Sequence, residues 1–193
     1  VHLALVLLYT MGLRRGELLR LTVGDYDPRE RTLLIRASKF HKSRLLPLSA
    51  DGDRTLTDHL DTRRAQHLPV SPETPVLWNG YAGGRPYTAV GLGHSLRSLL
   101  QTVGTRTPAG HLPRMHDFRH TFAVHALVRW YRAGVDVQAK LPWLALYMGH
   151  VSIMSTAYYL PFVERVAHTA STRFAQRYGA LITAAAGPKG GDR

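Results

Sequence analysis

The stretch Met148-Gly149-His150-Val151-Ser152-Ile153-Met154-Ser155-Thr156-Ala157-Tyr158-Tyr159 decides how this chain is read. On one straight helix, turning about 100° per residue, His150 and Tyr159 would face opposite ways. Gly149 predicts a helix stop, and Ser152 predicts the cap of a short helix ending near Tyr159, before Pro161. The interruption lets the histidine and the tyrosine meet across a turn. A tyrosine hydroxyl has a reference pKa of about 10 and needs cationic neighbours or a base to act as a nucleophile. A packed helical Tyr–Tyr pair is the plainer reading of this stretch alone.

Three segments upstream carry groups that bind or protonate a phosphate. His116-Asp117-Phe118-Arg119-His120 places His116 and Arg119 three apart on one helix face. In Gly12-Leu13-Arg14-Arg15-Gly16-Glu17-Leu18, the glycine ends one helix and the arginines begin the next. Backbone N–H groups at a helix start favour an anion, and an arginine adds a bidentate fork. Glu17 reads as a partner for a nearby donor rather than as an acid. Lys39 to Arg44 forms a hairpin loop whose lysine can reach a phosphate or protonate a leaving oxygen. Taken one at a time, a surface arginine pair and a solvated basic turn are the plainer readings of the arginine segment and the hairpin loop. His116 and His120, at i, i+4, could share a metal. However, Asp117 stands where an HExxH site has glutamate, and no third ligand is poised nearby. His111 and His125 read as structural or solvent-exposed.

Composition narrows the partner. The 193 residues hold 25 Lys+Arg against 13 Asp+Glu, a net charge of +12, which points first to nucleic acid and second to an anionic membrane surface. With no cysteine, disulfides, thiolate nucleophiles and thiolate metal sites are excluded, and a reducing compartment fits. The longest apolar run, Leu3–Tyr9, falls short of the roughly 18 residues that span a bilayer. No signal-peptide pattern opens the chain.

Hydrophobic spacing predicts helices at His2–Met11, Arg15–Leu21, Asp53–Gln66, from a Thr88 cap to about Val103, His116–Arg132, Val137–Met148, Ser152–Tyr159 and Phe162–Thr183. Strands are expected at Thr32–Arg36 and Arg44–Leu48. The fold class is therefore mainly α with one small antiparallel β-sheet. Residues 187–193 read as a disordered tail.

The order and spacing of GLRRGEL (12–18), KFHKSRLLPL (39–48), HDFRHTFAVH (116–125) and MGHVSIMSTAYY (148–159) resemble the tyrosine recombinase (phage integrase) family. The resemblance implies a catalytic domain over 1–186. It also implies that a core-binding domain normally found N-terminal to it is absent from this chain. By position, Arg14 and Arg119 match the two catalytic arginines, His116 the first histidine, and His150 the second. Lys39 matches the hairpin lysine, with Lys42 as its rival. Tyr159 matches the nucleophile, lying nine residues after His150 and three after Thr156. Arg15, Lys42, Arg44, Arg114 and His120 become candidate DNA contacts. The activity implied is site-specific recombination, integration or transposition through a 3′-phosphotyrosyl intermediate, without ATP, metal or other cofactor.

The partners implied are double-stranded DNA and further copies of the protein in a synaptic tetramer, with no membrane. Phe162–Ile182 resembles a helix that docks on a neighbouring subunit. The setting implied is cytoplasmic and nucleoid-associated, in a bacterium or mobile element. A type IB topoisomerase, a silent DNA-binding remnant and a metal-dependent phosphohydrolase are the alternatives. Two departures stand out: Met148 where many members have leucine, and a longer stretch around Trp130–Leu144.

Overall fold

The computed structural model describes residues 1–36, 43–80, 84–150 and 152–160. Their contacts divide into two units, one of Val1–Phe122 with Leu146–Gly149, the other of Ala123–Ala145 with residues from His150 onward. The expected hairpin loop carrying Lys39 and Lys42, the helix over Phe162–Thr183 and the tail from 187 lie outside the described residues.

In the first unit, α1 (His2–Met11) is apolar on most sides, and Leu3, Ala4, Leu7, Leu8 and Met11 are all buried. It ends at Gly12, which adopts φ +60° and donates its N–H to the Leu8 carbonyl. That left-handed residue turns the chain into α2 (Arg15–Arg20). A three-stranded antiparallel sheet follows, in the order β1 (Tyr26–Asp27), β2 (Thr32–Ile35), β3 (Arg44–Pro47). Leu33 pairs with Leu46, and both face inward with Ile35, while Leu45 points to solvent. The two faces differ in burial although the runs Leu33-Leu34-Ile35 and Leu45-Leu46 are apolar without alternation.

Helix α3 covers Ala50–Ala65, three residues longer at its start than the spacing of Leu56 and Leu60 suggests. Ser49 is the reason, because its Oγ accepts from the Gly52 N–H at 3.2 Å and Asp51 and Asp53 fill the first turn. Arg63 on this helix is buried and donates to the carbonyls of Pro69, Pro75 and Val76, which ties down the following loop. A second, two-stranded sheet pairs β4 (Trp78–Asn79) with β5 (Arg85–Pro86). Strands β1, β4 and β5 are two residues each, too short to leave a periodic trace. Helix α4 (Ala89–Thr102) starts at Thr88, whose Oγ1 accepts from the Gly91 N–H at 3.0 Å. Its Leu92, Leu96 and Leu100 join the core formed by α1, α2, the sheet and α3.

Helix α5 (Met115–Arg132) begins in the first unit and continues into the second. The second unit buries Ala123, Ala126, Leu127 and Val128 of α5 together with Val137, Leu141, Leu144 and Ala145 of α6 (Val137–Met148). The short α7 (Met154–Ala157) follows, with the Met154 N–H donating to Ser152 Oγ at 3.2 Å. The fold is thus mostly helical, with small antiparallel sheets where one was expected.

Gly12 has two reasons to be glycine. Its φ is positive, and a Cβ would lie 2.5 Å from Phe122 Cδ1 on α5. Gly12→Ala is expected to cost about 2–4 kcal/mol, from the left-handed backbone and the overpacked ring together. Urea unfolding of the two proteins reads this as a lower midpoint at unchanged slope.

Candidate active site

The end of α6 is where the first unit's candidate residues converge. Two of its last carbonyls are satisfied by the chain itself. The Gly149 N–H donates to Leu146 O at 3.0 Å, and the His150 N–H to Ala145 O at 2.8 Å. Gly149, at φ +66°, supplies the left-handed turn this closure needs. The next three carbonyls each receive an arginine. Arg44 Nε donates to Tyr147 O at 2.8 Å, Arg119 Nη2 to Met148 O, and Arg14 Nη2 to Gly149 O at 2.7 Å. A helix C-terminus is the negative end of the backbone dipole, so guanidinium groups suit it electrostatically as well as geometrically.

Arg119 is 1% exposed and also donates through Nη1 to the Gly12 carbonyl. It thereby joins the end of α1 to the end of α6. Arg14 is more open, with 28% of its side chain exposed. Its Nη1 donates to Glu17 Oε1 at 2.9 Å, and its backbone N–H to Glu17 Oε2 at 2.9 Å. The same carboxylate takes a fork from Arg44, Nη1 to Oε1 and Nη2 to Oε2, both at 3.0 Å. One buried carboxylate thus faces two guanidiniums, leaving a surplus of one positive charge on this trio.

Burial pushes the Glu17 carboxyl up, but the hydrogen bonds and charges of Arg44 and Arg14 outweigh it and bring the pKa to about 2. Glu17 was legible as a donor's partner. Its second donor was not, because Arg44 lies 27 positions away on another element. The carbonyl clamp at 147–149 has no side-chain signature at all.

His116 sits at the start of α5, its ring edge-on to that of His120 with centroids 4.4 Å apart. Partial desolvation and then the Arg119 charge lower its pKa below the usual imidazole value. His120 is lowered too, by desolvation and by His116. Both rings therefore favour the neutral form at pH 7, in which one nitrogen accepts a proton. Arg15 and Arg114 are exposed, and Arg114 Nη2 lies 3.6 Å from Asp117 Oδ1. Among the described residues, no three His, Asp or Glu side chains gather as a metal site.

In the second unit, His150 and Tyr159 stack with ring centroids 6.3 Å apart and an interplanar angle of 17°. His150 Nδ1 also lies 2.7 Å from Thr156 Oγ1. The helix break after α6 brings this pair together across the turn, as the spacing predicts. Tyr159 is 3% exposed and Tyr158 is 60% exposed, so the neighbouring tyrosines occupy opposite environments.

The Glu17 pKa fixes a pH prediction. Its folded value of about 2 lies below the ordinary 4.5, so its stabilisation is complete above that ordinary value and is lost as pH falls toward 2. Glu17→Gln is expected to lose on the order of 3 kcal/mol at pH 7, with the gap to the parent protein closing between pH 5 and pH 2. Chemical unfolding across that range measures it.

A model of the phage integrase family matches residues 2–163. A protein named as an integrase/recombinase in Sinorhizobium fredii is 38% identical over 174 residues, spanning 89% of this chain and 54% of that protein. Tyrosine recombinase XerC of Roseiflexus castenholzii is 32% identical over 168 residues, 86% of this chain and 48% of that protein. The chain therefore spans about half the length of the curated relatives it matches. Among solved structures, XerH recombinase bound to a palindromic difH substrate superposes with a TM-score of 0.66 at 24% identity. It covers 88% of this chain and 44% of that one. XerA recombinase gives a TM-score of 0.63 at 23% identity over 79% of this chain and 49% of that one. These likenesses establish the fold. With a family match running from the first helix past the Tyr158–Tyr159 pair, the chain belongs to the phage integrase family of tyrosine recombinases.

Proposed function

We propose that this chain breaks and rejoins DNA as part of a site-specific recombinase or integrase, with Tyr159 as the nucleophile. Attack by the Tyr159 hydroxyl on a backbone phosphorus forms a phosphotyrosyl bond to the 3′ side and releases a 5′ hydroxyl. Attack by another strand's 5′ hydroxyl reverses the step and conserves the bond energy, so no ATP enters. Arg14, Arg119 and His150 stabilise the charge that grows on the non-bridging oxygens. His116 takes or relays the tyrosine proton. Lys39, with Lys42 as its alternative, protonates the departing 5′ oxygen. Arg15, Lys42, Arg114 and His120 are candidates for flanking DNA contacts. The same reading places the protein with DNA in the cytoplasm, assembled with further copies of itself for strand exchange.

The observation that carries this reading is the half-open guanidinium of Arg14. It is held by Glu17 and by the Gly149 carbonyl, and it belongs to a group with one positive charge in excess. A cation fixed before substrate arrives needs no reorganisation as the phosphorane charge develops. The net charge of +12 supplies attraction for the flanking backbone.

The test is covalent trapping. The protein is mixed with a pool of nicked duplexes of randomised sequence in EDTA, then denatured. A protein–DNA adduct is expected. Tyr159→Phe is expected to abolish it and Tyr158→Phe to leave it intact, and an adduct formed by the Tyr159→Phe protein would overturn the nucleophile assignment. The His116 pKa adds a pH profile. The second-order rate of adduct formation is expected to be flat near pH 7 and to fall only below pH 6.5, as His116 becomes protonated. His116→Gln should lose that inflection.

A further inference from the structure

Arg44 was a candidate DNA contact, but its geometry assigns it elsewhere. Only 11% of its side chain is exposed, against 28% for Arg14. All three of its nitrogens are committed within the protein: Nε to Tyr147 O, Nη1 and Nη2 to the two oxygens of Glu17. Glu17 Oε1 is shared, receiving Arg44 Nη1 at 3.0 Å and Arg14 Nη1 at 2.9 Å. Both guanidiniums crowd the place where a side chain on Gly149 would begin. A Cβ on Gly149 would stand 2.8 Å from Arg44 Nη1 and 3.2 Å from Arg14 Nη1.

We propose that Arg44 is a positioning residue for phosphoryl transfer, which aims and charges Arg14 through Glu17 and makes no contact with DNA. The inference rests on the reading of Arg14 given under Proposed function. Its logic is charge balance and geometry. With Arg44 present, Glu17 is already matched by one cation, and the charge of Arg14 remains available to a phosphate. Without Arg44, the carboxylate pairs one-to-one with Arg14 and cancels it. The carboxylate also loses the fork that fixes its plane, so Arg14 loses its aim. A lysine at 44 restores the charge but not the fork, because an ammonium is a point donor.

The experiment compares adduct formation on two versions of the trapped duplex. One has the ordinary scissile phosphate. The other has a methylphosphonate there, with a methyl group replacing one non-bridging oxygen. The methylphosphonate develops less negative charge and so has less need of Arg14. On the ordinary phosphate, Arg44→Met is expected to slow adduct formation about 10- to 100-fold, Arg44→Lys by less, and Arg14→Ala by at least as much as Arg44→Met. On the methylphosphonate, the penalties of all three variants are expected to shrink together. Arg14→Ala/Arg44→Met should be no slower than Arg14→Ala alone. In the Arg14→Ala background, adding Arg44→Met should leave the salt slope of DNA binding unchanged.

Three results would overturn the proposal: an unimpaired Arg44→Met, a penalty that persists on methylphosphonate where that of Arg14→Ala vanishes, or a salt slope that falls by about one when Arg44→Met is added to Arg14→Ala. If Arg44→Met fails to fold by circular dichroism, Arg44→Lys carries the same comparisons. Absence of any adduct with the unaltered protein overturns the functional reading and this inference with it. An adduct that is indifferent to position 44 overturns this inference alone.

Discussion

Helix α6 ends with carbonyls that its own turn cannot satisfy, and three arginines from three other elements satisfy them. Gly149 and His150 close back onto Leu146 and Ala145, leaving Tyr147, Met148 and Gly149 as acceptors. Arg44, Arg119 and Arg14 arrive in that order. A buried carbonyl without a donor is costly, and so is a buried guanidinium without an acceptor. Each requirement answers the other, and the result is a set of cations held still at one place. Glu17 completes the arrangement by accepting from Arg14 and Arg44. Its single negative charge is enough to hold two guanidiniums and too little to neutralise them.

The long, periodic elements were legible. Helix α1 matches its expected limits because ten apolar-rich residues run into a glycine, and α4 and α6 follow from leucine spacing and an evident cap or stop. Helix α3 starts three residues before the expected Asp53, because the cap at Ser49 lies before the first apolar residue of the stripe. Strands β1, β4 and β5 left no trace, since two residues have no period.

The site divides in the same way. The meeting of His150 and Tyr159 followed from the glycine stop. Arg14, His116 and Arg119 were recognisable by their local motifs. The contacts to the main chain are not legible, because a carbonyl acceptor is present at every residue and carries no sequence signal. The commitment of Arg44 to Glu17 and Tyr147, rather than to solvent, is of that kind. A basic residue beside a basic loop reads as a surface charge until its acceptors are seen.

The arginine clamp is also a matter of timing. Arg14 and the Gly149 carbonyl are 135 positions apart, and Arg44 and the Tyr147 carbonyl 103 apart. Such contacts close long loops and form after the local helices. During synthesis, the arginines leave the ribosome long before their acceptors exist. A partial chain therefore carries the cations without the frame that aims them. The ordered set of guanidiniums is complete only once the chain has been made past Gly149.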